Sequence, residues 1–364
     1  MTDGETDIDT SRVESYLSSE LGVSVVETEV LHDGLNLSLA VSTENTEDAY
    51  VLRRPNKFRQ TDGFLDVNQE YRVLEHLQGT GIDAPEPVLV CEDESVIGDP
   101  FLVMTYLDGV PVHLGSYLPG RFRRADARER IATLLIETLA DIHSLNIGPL
   151  TGVCERQTPL DQVTRTVDRL DESTSVTGHD SPGLRDVADW LEQNAPSKQG
   201  TALVHGDFRP ANVLFVGDAQ PEISGVLDWE TAFLGDPLTE LGYLLLRWRD
   251  DSDPVPSLDR IESQCSNEAV IQDLKATNEH GLAPFTNEPG SPSRQELVTR
   301  YEARTGLSFE NERFYRALAA FILATIWSDL HRTRVEAGTE SDWVPYVDYM
   351  SMLAESIISG EFQL

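Results

Sequence analysis

Apolar residues along the first hundred positions recur at two different periods, and the switches between them mark the elements. Val13, Tyr16, Leu17 and Leu21 lie at helical spacing, which predicts a helix over 11–21 with Ser11 as its cap and Gly22 as its stop. The pattern then changes to strand-like runs at 23–31, 35–41 and 49–54, separated by His32-Asp33-Gly34 and by the polar stretch 42–48. Pro55, which cannot donate to a ladder, ends the third. A helix is predicted over 66–78, where Tyr71, Val73, Leu74 and Leu77 are apolar and Gly79 and Gly81 close it. Pro85 and Pro87 lead into a strand at 88–91, and 101–107 reads as a second buried strand ahead of Asp108-Gly109. Residues 1–10 are polar and acidic and are expected to fray.

Beyond Gly109 the helical period dominates. A long amphipathic helix is predicted over 124–145, with shorter ones at 160–170 and 184–191 and two more at 310–332 and 343–358. Another begins at Pro237, with Asp236 as its cap. Proline and glycine mark loops at 250–258 and 282–293. Between the helices stand two short apolar runs, 203–215 and 224–230, each with a carboxylate at its edge. Asp207 and Asn212 are five residues apart in a loop that Pro210 keeps from being helical, and Asp228 follows a strand-like run. As two strands of a hairpin, these runs would bring Asp207, Asn212 and Asp228 to one end of a small sheet. A base, an amide oxygen and a second carboxylate around one point are what phosphoryl transfer from a metal-nucleotide requires.

His205-Gly206-Asp207, Asn212 five residues on, and Asp228-Trp229-Glu230 further along resemble the motifs of the aminoglycoside phosphotransferase and choline kinase branch of the protein-kinase-like fold. Tyr50-Val51-Leu52-Arg53-Arg54-Pro55, Glu70-Tyr71-Arg72 and Phe101-Leu102-Val103-Met104 are most similar to the module associated with acyl-CoA dehydrogenases. The resemblance implies an α+β, protein-kinase-like fold in two lobes. After an N-terminal segment and helix (1–22) would come an N-lobe of antiparallel sheet plus one helix (23–107), binding nucleotide. A larger, mainly helical C-lobe (108–364) would carry the catalytic loop and the acceptor. It further implies transfer of the γ-phosphoryl group of ATP to a small-molecule hydroxyl, with Asp207 as base and Asn212 and Asp228 holding Mg2+. The cation that grips the phosphates is normally lysine; by register Arg53 takes that place, paired with Glu70, and Arg54 points to the opposite face. Gly34 lies where kinases carry a Gly-rich nucleotide loop, although an ordinary hairpin turn fits the same residues. The Thr105 carbonyl and the Leu107 amide are the expected adenine partners, with Met104 behind the pocket. Asp236 would buttress the catalytic loop, and His143 reads as a structural histidine.

Composition changes this picture in two ways. The formal net charge is −35, spread along the chain, and Lys57, Lys198 and Lys275 are its only lysines. Such a body repels nucleic acid and anionic membranes and resembles the proteins of salt-in halophiles, so the acid reports on solvent rather than substrate. Cations retained against that background carry more information: Arg247, Arg249, Arg332 and Arg334 could grip an anionic acceptor, such as a hydroxyacyl-CoA or a hydroxy acid, or could simply complement helix ends. Cys91, Cys154 and Cys265 have neither disulfide nor zinc spacing. No apolar run spans a bilayer and no signal peptide is evident, so the chain is expected to be soluble and cytoplasmic. The absent lysine and thin glycine loop support a rival reading as a pseudokinase, a nucleotide-binding or interaction module without turnover.

Overall fold

In the computed structural model, which describes residues 9–56 and 63–364, alternation along one sheet decides what packs on each of its faces. Helix α1 (Thr10–Leu21) precedes strands β1 (Val25–Asp33), β2 (Asn36–Thr43) and β3 (Thr46–Pro55); α2 (Val67–Leu77), β4 (Pro87–Cys91) and β5 (Phe101–Thr105) follow. The strands form an antiparallel sheet in the order β1-β2-β3-β5-β4. Phe101 and Val103 of β5 join Leu37, Leu39, Val41 and Leu52 against Val13 and Leu17 of α1. Leu102 and Met104, one residue out of phase, pack with Val73, Leu74 and Leu77 of α2 in a core that runs on into the second lobe. Asp9, rather than Ser11, caps α1: its carboxylate accepts the Arg12 N–H at 3.2 Å. Most of the segment expected to fray, and Lys57, lie outside the described residues.

The second lobe holds α3 (Ala125–His143), β6 (Arg156–Gln157), α4 (Pro159–Thr177), α5 (Pro182–Asn194), β7 (Ala202–Val204), the hairpin β8 (Val213–Val216) and β9 (Glu222–Val226), and β10 (Phe233–Gly235). Helices α6 (Pro237–Leu245), α7 (Asp259–Gln264), α8 (Glu268–His280), α9 (Arg294–Thr305), α10 (Glu312–Glu336) and α11 (Val344–Ser359) complete it. Helix α4 runs seven residues beyond its expected end at 170. The polar stretch 171–177 has no apolar period to betray it, but Ser173 is buried and donates to Asp329 of α10 at 2.7 Å before Gly178 ends the helix. Helices α7, α8 and α9 are mostly polar, so no strong apolar period marks them in the sequence. The sheet joins the second lobe through residues 106–110, where Val110 and Phe215 exchange backbone hydrogen bonds of 3.0 and 3.1 Å. Gly109, at φ +149°, allows that approach: a Cβ there would lie 2.7 Å from the Leu214 Cβ. Among the described residues no helix is long and apolar enough to cross a membrane.

Candidate active site

The loop after β7 is held by one buried carboxylate. Glu240 of α6 accepts the backbone N–H groups of His205 at 3.0 Å, Gly206 at 2.7 Å and Phe208 at 3.4 Å, and pairs with His143 Nε2 at 3.1 Å. Burial pushes the Glu240 carboxyl up; the bond to His143, the nearby His143 and His205 rings and the His205 N–H outweigh it and hold the group below the ordinary carboxylate range. Gly206 has φ +89°, and a Cβ on it would sit 2.3 Å from the Thr231 carbonyl oxygen, so only glycine fits the turn. The buttress expected at Asp236 is therefore at Glu240. Asp236 instead caps α6 through the Leu238 N–H at 3.0 Å and accepts the Tyr315 hydroxyl at 2.9 Å. His143 is buried and satisfied, its other ring nitrogen lying 2.7 Å from the Tyr301 hydroxyl.

On this loop Asp207 has 28% of its side chain exposed. Its Oδ2 accepts from Arg209 Nε and from Asn212 Nδ2, each at 2.9 Å, and its Oδ1 accepts from the Tyr243 hydroxyl at 2.7 Å. The Arg247 guanidinium lies over the Tyr243 ring, 3.9 Å from its centroid. Burial would raise the Asp207 carboxyl, but the Arg209 and Arg247 cations and the bonds from Arg209 and Tyr243 hold it below its ordinary range. Burial pushes the Tyr243 phenol up to about 12, so it stays protonated and donates.

The hairpin closes the site from the other side. The Leu227 N–H bonds the Asn212 carbonyl at 2.8 Å, which sets Asn212 and Asp228 at the same end of β8 and β9. Asp228 stands in the left-handed region at φ 63°, ψ 51°, with half its side chain exposed. Residues with this backbone away from glycine are uncommon and mark sites that surrounding structure enforces. Arg53 of β3 is buried and meets Glu70 of α2 at 2.9 Å, Asp228 at 3.3 Å, and Glu230. Arg54 projects to the other face and donates to the Ile97 carbonyl at 2.7 Å. Contacts thus link Asp207 to Asn212, Asn212 to the Asp228 segment, and Asp228 through Arg53 to Glu70, from one lobe to the other.

The donor set also fits a divalent ion. Asn212 commits its amide nitrogen to the Asp207 carboxylate and carbonyl, both at 2.9 Å, which leaves its oxygen as the side-chain acceptor. Two hard oxygen donors suit magnesium shared with phosphates, whereas among the described residues no group of three or more His, Cys, Asp or Glu is arranged to hold a metal alone.

The profile of the phosphotransferase enzyme family matches residues 27–285. The chain belongs to this family. Acyl-CoA dehydrogenase family member 11 of Homo sapiens is 27% identical over 322 residues, covering 84% of this chain but 36% of the relative. Family member 10 of Mus musculus is 32% identical over 282 residues, covering 76% of this chain and 24% of the relative. The chain therefore spans about a third or less of these relatives' length. A candidate aminoglycoside phosphotransferase from Ralstonia eutropha superposes with a TM-score of 0.71 at 22% identity, over 98% of this chain and 99% of that one, which shows the two-lobe kinase-like α+β fold.

In this chain the remaining expected residues lie outside that set of contacts. Thr105 ends β5 opposite Tyr50, and its N–H and hydroxyl are bound to the Glu86 backbone at 2.9 Å. The expected strand to 107 ends at Thr105, although the Tyr106 N–H still meets the Ala49 carbonyl of β3 at 3.2 Å. The Leu107 N–H has no partner among the described residues, and the Leu107 side chain covers Gly225, where a Cβ would clash at 2.3 Å. Gly34 lies in the β1–β2 turn, its carbonyl held by Asn56 at 2.8 Å. Arg249 bonds the Pro254 and Asp253 carbonyls, and Arg332 pairs with Asp329, Glu172 and Glu336, so protein groups engage both. Arg334 stands exposed near the end of α10. Of the four retained arginines, Arg247 lies beside Asp207, over the Tyr243 ring. Sequence reasoning missed Arg209, Tyr243, Glu230 and Glu240. Arg209 and Glu230 lie inside the quoted motifs and could have been read there, whereas Tyr243 and Glu240 signal nothing until α6 is folded against the loop.

Proposed function

We propose that this chain is a small-molecule kinase that transfers the γ-phosphoryl group of ATP to a hydroxyl of a small metabolite. The observation that carries the reading is the part-exposed Asp207 carboxylate, held ionised and bonded to Asn212, whose carbonyl takes the N–H of the residue before Asp228. Asp207 takes the proton as the acceptor O–H bond breaks; the oxygen forms the new bond to phosphorus while the bond to the β-phosphate oxygen breaks and ADP leaves. Tyr243 and Arg209 orient the carboxylate, and the Tyr243 hydroxyl on Oδ1 marks the position from which an acceptor hydroxyl would donate. Arg53, backed by Glu70, positions the donor phosphates, with the Gly34 turn above them and the Thr105 and Leu107 backbone at the adenine. Asn212 and Asp228 are the residues that would hold Mg2+, which supplies charge neutralisation on the phosphates when bound.

The acceptor we propose is an anionic hydroxy compound, a hydroxyacyl-CoA or a hydroxy acid. Arg209 and Arg247 beside the base support it, as do relatives named acyl-CoA dehydrogenase family members 10 and 11. A panel of hydroxyacyl-CoAs, hydroxy acids, sugars, choline, homoserine and aminoglycosides, assayed for ADP release with Mg-ATP in high KCl, tests the reading. Turnover of a cationic acceptor with none of any anionic one would overturn the acceptor class. Absence of ATP consumption with every acceptor and with a metabolite extract would favour the module without turnover.

A further inference from the structure

The Arg53 guanidinium has two edges, and carboxylates from different elements meet both. Nη1 takes Glu70 at 2.9 Å and Asp228 at 3.3 Å; Nη2 faces Glu230. Neither the base, the metal pair nor the Arg53–Glu70 pair requires this third carboxylate. Glu230 Oε2 also accepts from Asn36 Nδ2 at 2.7 Å, and its backbone carbonyl takes the Leu65 N–H at 2.7 Å. Asn36 opens β2 directly after the turn that holds Gly34, and Leu65 lies just ahead of α2. Glu230 therefore touches the turn, β3 and the approach to α2 at once. Its own position is fixed on both sides. Trp229 is buried, donates to the Val226 carbonyl at 2.9 Å and packs on the His205 ring at 4.6 Å; Thr231 donates to the His205 carbonyl at 2.9 Å.

The chemistry of the cation explains why a second glutamate is present. An ammonium is a point charge that one carboxylate can neutralise, whereas a guanidinium offers five donors in a planar fork. Buried with 4% of its surface exposed, Arg53 would have one edge unpaired if Glu70 were its sole counter-ion. With Glu70 and Glu230 covering both edges, Asp228 can turn to a metal without stranding the arginine.

We propose that Glu230 is a positioning residue: it holds the second edge of Arg53 and, through Asn36, sets the β1–β2 turn against the metal-binding segment. Cation and turn then meet the nucleotide phosphates in one geometry. This inference rests on the cleft being a nucleotide site. Calorimetric titration of the full chain with ADP, with Mg2+ and with EDTA in high KCl, tests it without knowledge of the acceptor. Glu230→Gln should weaken binding about tenfold and Asn36→Ala about threefold, and Glu230→Gln added to Arg53→Lys should change affinity less than about twofold, because the paired edge is already gone. Glu230→Gln should weaken binding with and without metal, since it acts through Arg53, whereas Asp228→Asn should weaken the metal-dependent part alone. If Glu230→Gln does not fold, Asn36→Ala on the half-buried turn carries the same comparison in the Arg53 and Arg53→Lys backgrounds. Unchanged or tighter binding by Glu230→Gln, or effects at 53 and 230 that simply multiply, would overturn the inference and leave the kinase reading standing. A wild-type chain that binds no nucleotide overturns both.

Discussion

Asp207 receives three hydrogen bonds and the field of two arginines, which is more support than an isolated turn aspartate obtains. Replacing it with asparagine keeps the shape and removes the proposed proton acceptor, so turnover should fall by about 10²–10⁴ while nucleotide affinity, measured by calorimetry, changes little. Survival of turnover within a few-fold would assign the base elsewhere. The depressed carboxyl also sets the pH response. A group whose folded pKa lies below its unfolded value contributes stability that is present above the unfolded value and lost as pH falls through the folded one. The acid limb of the rate profile should therefore lie below the ordinary aspartate range. Arg247→Met removes one of the cations responsible and should move that limb upward by about one pH unit, read from a pH–rate series. Cys154, by contrast, has its thiol pushed up to about 11 by burial and has no comparable support for reactivity.

Strand β3 and helix α6 are the elements that place the site. Alternation along β3 puts Arg53 on the α2 face and Arg54 on the α1 face, so the two neighbours have different partners. Arg53→Ala should raise the apparent ATP requirement and lower the rate in steady-state kinetics, while Arg54→Ala should do much less. Equal effects would contradict the register seen in the sheet. Helix α6 acts through Glu240, whose carboxylate gathers three loop N–H groups and a histidine. Glu240→Gln replaces a charged acceptor by an amide that can satisfy fewer of those donors. Denaturant unfolding should show a loss of about 3 kcal/mol, the scale of breaking a buried charged pair.

At the scale of the whole molecule the charge of −35 governs stability more than chemistry. Self-repulsion weakens the compact state at low ionic strength and is screened within about 3 Å at molar salt. The thermal midpoint should rise steeply between dilute buffer and molar KCl; a flat profile would remove the halophile-like reading of the acid. The two-lobe fold was legible because its pieces are locally encoded. Period-two runs ending at glycine and proline define the sheet, long apolar stripes define α3, α10 and α11, and the short motifs around Asp207 and Asp228 rest on a hairpin whose strands are adjacent in the chain. Partners distant in sequence were not legible. The run 171–177 packs its Ser173 hydroxyl on Asp329, 156 residues away; the loop is braced by Glu240 rather than Asp236 because α6 lies with that face toward it; and Arg53, whose partner Glu70 the family resemblance implied, collects Asp228 and Glu230 as well only in the folded chain. Side-chain period and turn chemistry are properties of neighbours along the chain, so the sequence by itself determined the sheet, the long helices and the short motifs that carry Asp207, Asn212 and Asp228. Which carboxylate meets which cation depends on distances between elements, and that only the tertiary structure decided.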